Sequence, residues 1–286
     1  MTRSIRFFSL AAYLLPLLAA PGTQAQQSAA PPLPDIRQLM IQVHEHQKQL
    51  DKVRENYTYS SLATVQELDS TGQVKKTESE EYEAFFVNSH PIERTVKKNG
   101  KPLDSGEEQK ETERVTKLVE KAQVTPPGQA LEGQAVSVSR LLDIMDVRNE
   151  RRVSFRGRMA IVFDFVGRKD AQTHGQAEEA SKDLQGTIWI DEADRQVARV
   201  EAAFDDNFHI GGGLIANVQK GSHFSFDQAP VNGEIWLPTG GDATMQARVM
   251  LLKTVRRHIT QRDYDYKRFR VETEPGKDAN VVTEKK

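Results

Sequence analysis

Gly186-Thr187-Ile188-Trp189-Ile190-Asp191-Glu192-Ala193-Asp194-Arg195-Gln196-Val197-Ala198-Arg199-Val200-Glu201 sets the reading of the whole chain. Two runs rich in β-branched and aromatic residues flank Glu192-Ala193-Asp194-Arg195, a polar tetrapeptide of turn composition, so the stretch predicts two antiparallel strands joined by a hairpin. The same pattern continues in both directions. Upstream, Arg151–Arg156 and Met159–Gly167 read as strands; downstream, after Gln196–Phe204, come Gly221–Phe226, Glu234–Pro238, Asp242–Val255 and His258–Arg270. Alternation along Ile161, Phe163 and Phe165 against Val162, Asp164 and Val166 is partial, as expected of strands covered on both sides.

Further out, Tyr57 opens another strand, Asp69-Ser70-Thr71-Gly72 turns it into a second that reaches Val87, and a third from Ile92 to Lys97 ends at the tight-turn signal Asn99-Gly100. Helical spacing appears in two long segments. Asp35 has the chemistry of an N-cap, and Ile36, Leu39, Met40, Val43, Leu50 and Val53 then fall on one stripe. From Ser105 to Gln123 the period is again helical, with Glu107, Glu108, Glu111 and Glu113 loading the N-terminal half, which is polar enough to be expected to project. Ser139 is expected to cap a short helix. Asp170 to Asp183 reads as a polar insertion. These segments sum to an α+β chain of about eleven strands, an antiparallel sheet curled around a few helices.

Composition bounds the rest. Arg3 and Arg6, the apolar run Phe7 to Ala20 and the small residues of Thr23-Gln24-Ala25 predict an export signal over residues 1–25, cleaved near Ala25. A Pro/Ala-rich leader is expected at 26–34, a single domain at 35–272 and a charged disordered tail at 273–286. Of the 39 Lys and Arg residues only Arg3 and Arg6 leave with the signal, against 41 Asp and Glu that stay, a near-neutral balance that disfavours nucleic acid as the partner. The absence of cysteine excludes disulfides, thiol nucleophiles and thiolate metal sites.

Motifs for chemistry are weak. His44 and His46 are two apart on a helix, which points their rings roughly 200° apart and away from a shared metal. Gly211-Gly212-Gly213 lacks the Lys and Ser/Thr of a phosphate loop and reads as a turn. There is no Gly-x-Ser-x-Gly elbow. Neither a cofactor nor a metal is expected, and a hydrolase reading has no positive motif.

The aromatic residues are more informative. Tyr57, Tyr59, Tyr82, Phe85, Phe86, Phe163, Phe165, Trp189, Phe204, Phe224, Phe226 and Trp236 all fall on predicted strands. In a closed core they are packing; in a sheet left open on one side they line an apolar cavity suited to acyl chains. Tyr57, Tyr59, Phe86, Phe163, Phe165 and Trp189 are the residues expected to touch such a ligand. A basic stretch containing Arg256, Arg257, Arg262 and Arg268 is either a solvated strand face or a surface for an acidic partner or anionic lipid.

Several phrases together resemble a known family: the opening amphipathic helix, Asn56-Tyr57-Thr58-Tyr59, the Ile-Trp-Ile-Asp strand at 188–191 leading to Val197-Ala198-Arg199-Val200-Glu201, and Val231-Asn232-Gly233-Glu234-Ile235-Trp236-Leu237-Pro238. Over about residues 35–270 the chain is similar to the outer-membrane lipoprotein-sorting protein superfamily, which includes the periplasmic lipoprotein carrier, its outer-membrane receptor and a sigma-factor regulator. The resemblance implies an incomplete antiparallel β-barrel, with a helical lid in a concavity that holds lipid or lipoprotein acyl chains. This chain is longer than the carrier, with polar inserts at Asp104–Glu113 and Asp170–Asp183, and no position aligns with the carrier's ligand-contacting arginine. No family binding residue is therefore carried over. The function expected is a periplasmic lipid or lipoprotein acyl-chain carrier without covalent chemistry. The alternative is an envelope regulatory or scaffold module that binds a protein partner through the basic stripe, with peripheral or no membrane association.

Overall fold

The structure is a computed structural model that describes residues 31–127, 131, 143–210, 212, 215–250, 252–272 and 280–284. The export signal and its cleavage point, most of the leader and of the short helix after Ser139, and two of the three glycines at 211–213 lie outside the described residues.

Helix α1 spans Ile36–Arg54, α2 Ser105–Val124 and α3 Gln176–Ser181. The strands are β1 Tyr57–Leu68, β2 Val74–Val87, β3 His90–Lys98, β4 Lys101–Pro102, β5 Met145–Phe155, β6 Arg158–Gly167 and β7 Leu184–Asp191. They continue with β8 Gln196–Phe204, β9 Phe208–Ile210, β10 Ala216–Val218, β11 His223–Val231, β12 Ile235–Val249, β13 Lys253–Glu272 and β14 Asn280–Glu284. All pair antiparallel in one sheet, whose continuous path runs β4-β3-β2-β1-β13-β12-β11-β8-β7-β6-β5. Strands β9 and β10 attach beside β12, and β14 attaches to β13. The ends of the path, β4 and β5, are not joined to each other, so the barrel is incomplete, as expected.

α1 begins where Asp35 accepts from the Gln38 N–H at 2.8 Å, the expected cap. Ile36, Leu39, Met40 and Val43 recur at helical spacing and are buried, Leu39 and Val43 completely. They pack on Phe163, Phe165, Ile188, Ile190, Ala202 and Phe204 of β6 to β8 and form the main core. Removing each such side chain from water is worth about 1.5–3 kcal/mol, so this stripe fixes the helix to one half of the sheet. Its far end belongs to a second cluster, in which Val53 packs with Tyr57, Phe86, Val231, Ile235, Leu237 and Tyr266. Between these clusters the cover is incomplete.

Gly186 on β7 shows how closely the strands crowd. A Cβ there would fall inside the van der Waals radius of the Glu201 carbonyl oxygen and 2.7 Å from the Phe165 ring. The expected β7–β8 hairpin is held by Asp191, whose Oδ1 accepts from the Asp194 N–H at 2.8 Å and the Ala193 N–H at 3.1 Å. Burial raises the Asp191 carboxyl, but the Arg158 guanidinium and these two N–H groups outweigh it and leave the group below its ordinary value.

Three expectations are corrected. The polar half of α2 does not project. It lies along β3, where Glu107 pairs with Lys98 at 2.9 Å, Glu108 pairs with Arg94, and Glu111 accepts from the Thr95 N–H at 2.7 Å. A polar helix is at home there because the edge strand offers it cations and unpaired backbone groups. The run Glu234–Pro238 and the first part of Asp242–Val255 are one strand, β12, with a register shift opposite Asp227 and Gln228 in place of a turn; the turn follows Val249, where the Leu252 N–H donates to the Val249 carbonyl at 3.2 Å, ahead of Arg256 and Arg257. Residues 280–284, expected to be disordered, pair with Arg268–Glu272.

Candidate functional site

Where α1 leaves the sheet uncovered, a cavity of about 600 Å³ opens between the second half of the helix and strands β1 to β3 and β11 to β13. Tyr59, Phe86, Pro91, Phe226, Trp236 and Pro238 make its apolar wall. His44, Gln47 and Lys48 line it from α1, with Arg54, Glu93, Gln228 and Gln261 as further polar groups. The rings of Tyr59 and Phe86 lie 6.2 Å apart, those of Tyr59 and Tyr266 5.7 Å apart, and the Arg54 guanidinium sits 6.0 Å from the Phe86 centroid. This size and this mixture of an aromatic wall with a few polar groups are those of a small-ligand site.

Strand alternation decides which side chains reach the cavity. Tyr59 pairs with Ala84, which pairs with Glu93, so one row of the sheet carries Tyr59 and Glu93 to the same wall. Beside them Asp263 is 6 % exposed, and its Oδ1 accepts from the Gln261 amide at 2.9 Å. Its Oδ2 has no partner among the described residues. Burial pushes the Tyr59 hydroxyl well above its ordinary value, and the charges of Asp263 and Glu93 add to the shift. Tyr266 is raised in the same way, by burial and then by Asp263. Glu93 opens onto the cavity but is hemmed in by protein, which raises its carboxyl; Asp263 adds to the effect and Arg114 opposes it. The wall near β3 and β13 is thus acidic, while Lys48 and Arg54 make the side near α1 basic.

The expected ligand-contacting residues divide. Tyr59 and Phe86 line the cavity. Tyr57 lies behind the wall, fully buried, its hydroxyl donating to the Glu234 carboxylate and accepting from the Asn232 amide at 3.2 Å. Phe163 and Phe165 are 1 % and 4 % exposed in the core beneath α1. Trp189 is away from the cavity, its ring 6.0 Å from that of Phe155. Phe226 and Trp236 belong to the wider aromatic set on strands, but Pro91, Pro238 and the polar groups carry no sequence signal that would single them out. For Trp189 a signal exists: it alternates with buried Ile188 and Ile190, which sends its side chain to the opposite face.

The basic residues divide as well. Along β13, Arg256 and Arg262 alternate to one face, with Arg256 donating to Gln246 at 3.0 Å and Arg262 6.0 Å from the Tyr264 ring centroid. Arg257 stands on the other face, 3.8 Å from Glu67, and beyond the register shift Arg268 lies 3.2 Å from Glu234.

A second hollow of about 630 Å³ is walled by Asp164, Thr187, Arg199, Glu201, His223 and Asp242, with Phe165 and Phe224 contributing. Most of its charges are engaged, Arg148 being the exception among the described residues. Asp164 takes Asn149, Thr187 and Arg151, Arg199 bridges Glu201 and Asp227 at 2.7 and 2.6 Å, and His258 lies 2.7 Å from Asp242. Its wall is more charged and less aromatic than that of the first cavity. Among the described residues no group of three or more His, Asp or Glu is close enough to hold a metal ion, and no helix is long and apolar enough to cross a membrane.

By topology and site this is an open antiparallel half-barrel with an amphipathic helix on one face and a cavity beside that helix. No family model and no curated protein matches the sequence. The structure is similar to an outer membrane lipoprotein-sorting protein domain from Vibrio parahaemolyticus, at 10% identity and TM-score 0.35, covering 79% of this chain and 92% of that one. It is similar also to a LolA superfamily protein from Nitrosomonas europaea, at 10% identity, TM-score 0.32 and the same coverages of 79% and 92%. A third similarity is to the MucA/MucB complex of Pseudomonas aeruginosa, at 10% identity and TM-score 0.24, covering 78% of this chain and 94% of that one.

Proposed function

We propose that the chain holds an acyl chain, or an apolar group of similar length, in the cavity beside α1, and that it serves as a periplasmic carrier of lipid or lipoprotein acyl groups without covalent chemistry. The observation that carries the reading is the cavity of about 600 Å³ walled by Tyr59, Phe86, Phe226 and Trp236. Each methylene moved into such a wall is worth about 0.8 kcal/mol, so eight or nine give about 7 kcal/mol before the cost of ordering. A hold of that size shields a chain and still releases it. The cations of Lys48 and Arg54 at the α1 side suit an anionic or zwitterionic head.

The alternative of a protein partner bound through Arg256, Arg257, Arg262 and Arg268 draws less support, because strand alternation divides the four between two faces and carboxylates already face Arg257 and Arg268. The test is to purify the mature chain from a bacterial periplasm, extract it with organic solvent and titrate it with a fluorescent fatty-acyl probe. Co-purifying lipid, and probe binding competed by unlabelled fatty acid, are expected. A reproducibly lipid-free protein that also ignores the probe would overturn the proposal.

A further inference from the structure

The β9–β10 hairpin stands against the end of β12, with Ala216 opposite Val249 and Asn217 opposite Arg248, and the Met250 N–H donates to the Ile215 carbonyl at 3.1 Å. The tips of two hairpins, β9–β10 and β12–β13, are thereby bound side by side. Both present apolar residues to water: Ile215 is 61 % exposed, Met250 73 % and Leu252 92 %. Single exposed apolar side chains are ordinary, but three gathered where two hairpins meet are not explained by the fold. Met250 also takes φ +48°, a left-handed turn position that Asn or Gly fills at less cost.

The two hairpin segments themselves carry charge of one sign, and of their cations Arg257 meets a carboxylate, Glu67 of β1. Residues 207–226 and 243–262 contain no Asp or Glu, while they carry Lys220, Arg248, Lys253, Arg256, Arg257 and Arg262. Arg248 and Lys253 flank the tip of the β12–β13 hairpin, are exposed, and form no ion pair with a described residue. Some exposed cations elsewhere are matched by carboxylates, as Lys97 is by Glu81 and Lys98 by Glu107; others, such as Lys75 and Lys117, also stand without an ion pair to a described residue, so it is the neighbouring apolar side chains that set these two apart.

We propose that these paired tips are a docking surface for an anionic lipid bilayer, with Ile215, Met250 and Leu252 entering the interface and Arg248 and Lys253 resting at the headgroups. Three exposed apolar side chains make too small a patch for a stable protein interface, which needs on the order of 800 Å² per partner. The same patch ringed by unopposed cations fits a lipid surface, where shallow insertion and attraction to anionic headgroups add. The inference is independent of the cavity and does not require it to hold a ligand.

The test is co-sedimentation of the mature chain with vesicles of phosphatidylglycerol and phosphatidylcholine in equal parts, against vesicles of phosphatidylcholine alone. Preferential partition into the anionic vesicles is expected, weakened by salt and reduced roughly fivefold for each of R248A and K253A. M250D and L252D should each reduce it by about tenfold or more with unchanged circular dichroism, since both side chains stand clear of the core. A Leu252→Trp variant should shift its fluorescence to the blue on anionic vesicles, as a purely electrostatic contact would not cause. Equal partition into both vesicle types, no partition into either, or binding indifferent to M250D and L252D overturns the proposal. So does binding confined to native membranes and lost when their proteins are digested.

Discussion

The carboxylate of Glu111 accepts the backbone N–H of Thr95 at 2.7 Å and is clasped from its other side by Arg114, whose Nε and Nη2 donate to it at 2.8 and 2.7 Å. Arg114 also donates to the Glu93 carbonyl at 2.5 Å. Two consecutive outward-facing backbone groups of β3 are thus taken by α2, where a further strand would otherwise pair. The helix insulates one edge of an open sheet, a recurrent hazard for aggregation.

The clasp makes stability depend on acid. Arg114 first, and the Thr95 N–H with it, hold the Glu111 carboxyl down to about 2 against the opposing effect of burial. Its contribution is fully present above the ordinary value of 4.5 and is lost as pH falls from there to about 2. Urea melts of wild type and Glu111→Gln between pH 6 and 2 should converge at the acid end. Near neutral pH the variant should be weaker by about 2 kcal/mol, the scale of charge-assisted bonds, and more prone to aggregate.

Phe226 lines the cavity while remaining only half-buried. Phe226→Asp is expected to abolish binding of a fluorescent acyl probe with little change in melting temperature. A variant that binds the probe as wild type does would place the ligand elsewhere.

Leu39 is fully buried under α1 against β6 to β8. Leu39→Ala should cost about 3 kcal/mol, read by denaturant unfolding, and raise amide exchange along α1 before the strands beneath it.

At Gly186 no side chain fits between β7 and the Glu201 carbonyl. Gly186→Ala is expected to cost about 3 kcal/mol through overpacking, visible as a lowered urea midpoint with an unchanged slope.

What the sequence made legible followed from periodicity. The stripe Ile36, Leu39, Met40 and Val43 announced a helix needing a partner surface, and Ile188 and Ile190 around the 192–195 turn announced the hairpin on which that helix rests. The join between Pro238 and Asp242 is hard to read from sequence because a Gly-Gly pair has the composition of a turn, whereas Gly240 sits where its neighbour's backbone passes too close for a Cβ, 2.5 Å from the Gln261 oxygen. The cavity was only half visible. Tyr59 and Phe163 are the same kind of residue on the same kind of strand, and only the span of α1 separates the ring left open from the ring it covers. The acidic wall was invisible for a related reason: Glu93 and Asp263 are about 170 residues apart, and three strand registers bring them together.

The pairing of β1 with β13 joins Ser61 to Asp263, about 200 residues away. A chain emerging from its N-terminus therefore carries β1 to β3 as an unfinished meander, with one flank unpaired until nearly the last strand is made. Assembly of the sheet's middle must wait for the end of the polypeptide. That closure is a slow, non-local event, so folding speed should be set by this single late pairing, and a nascent or truncated chain lacking β13 should be the form that chaperones and proteases meet.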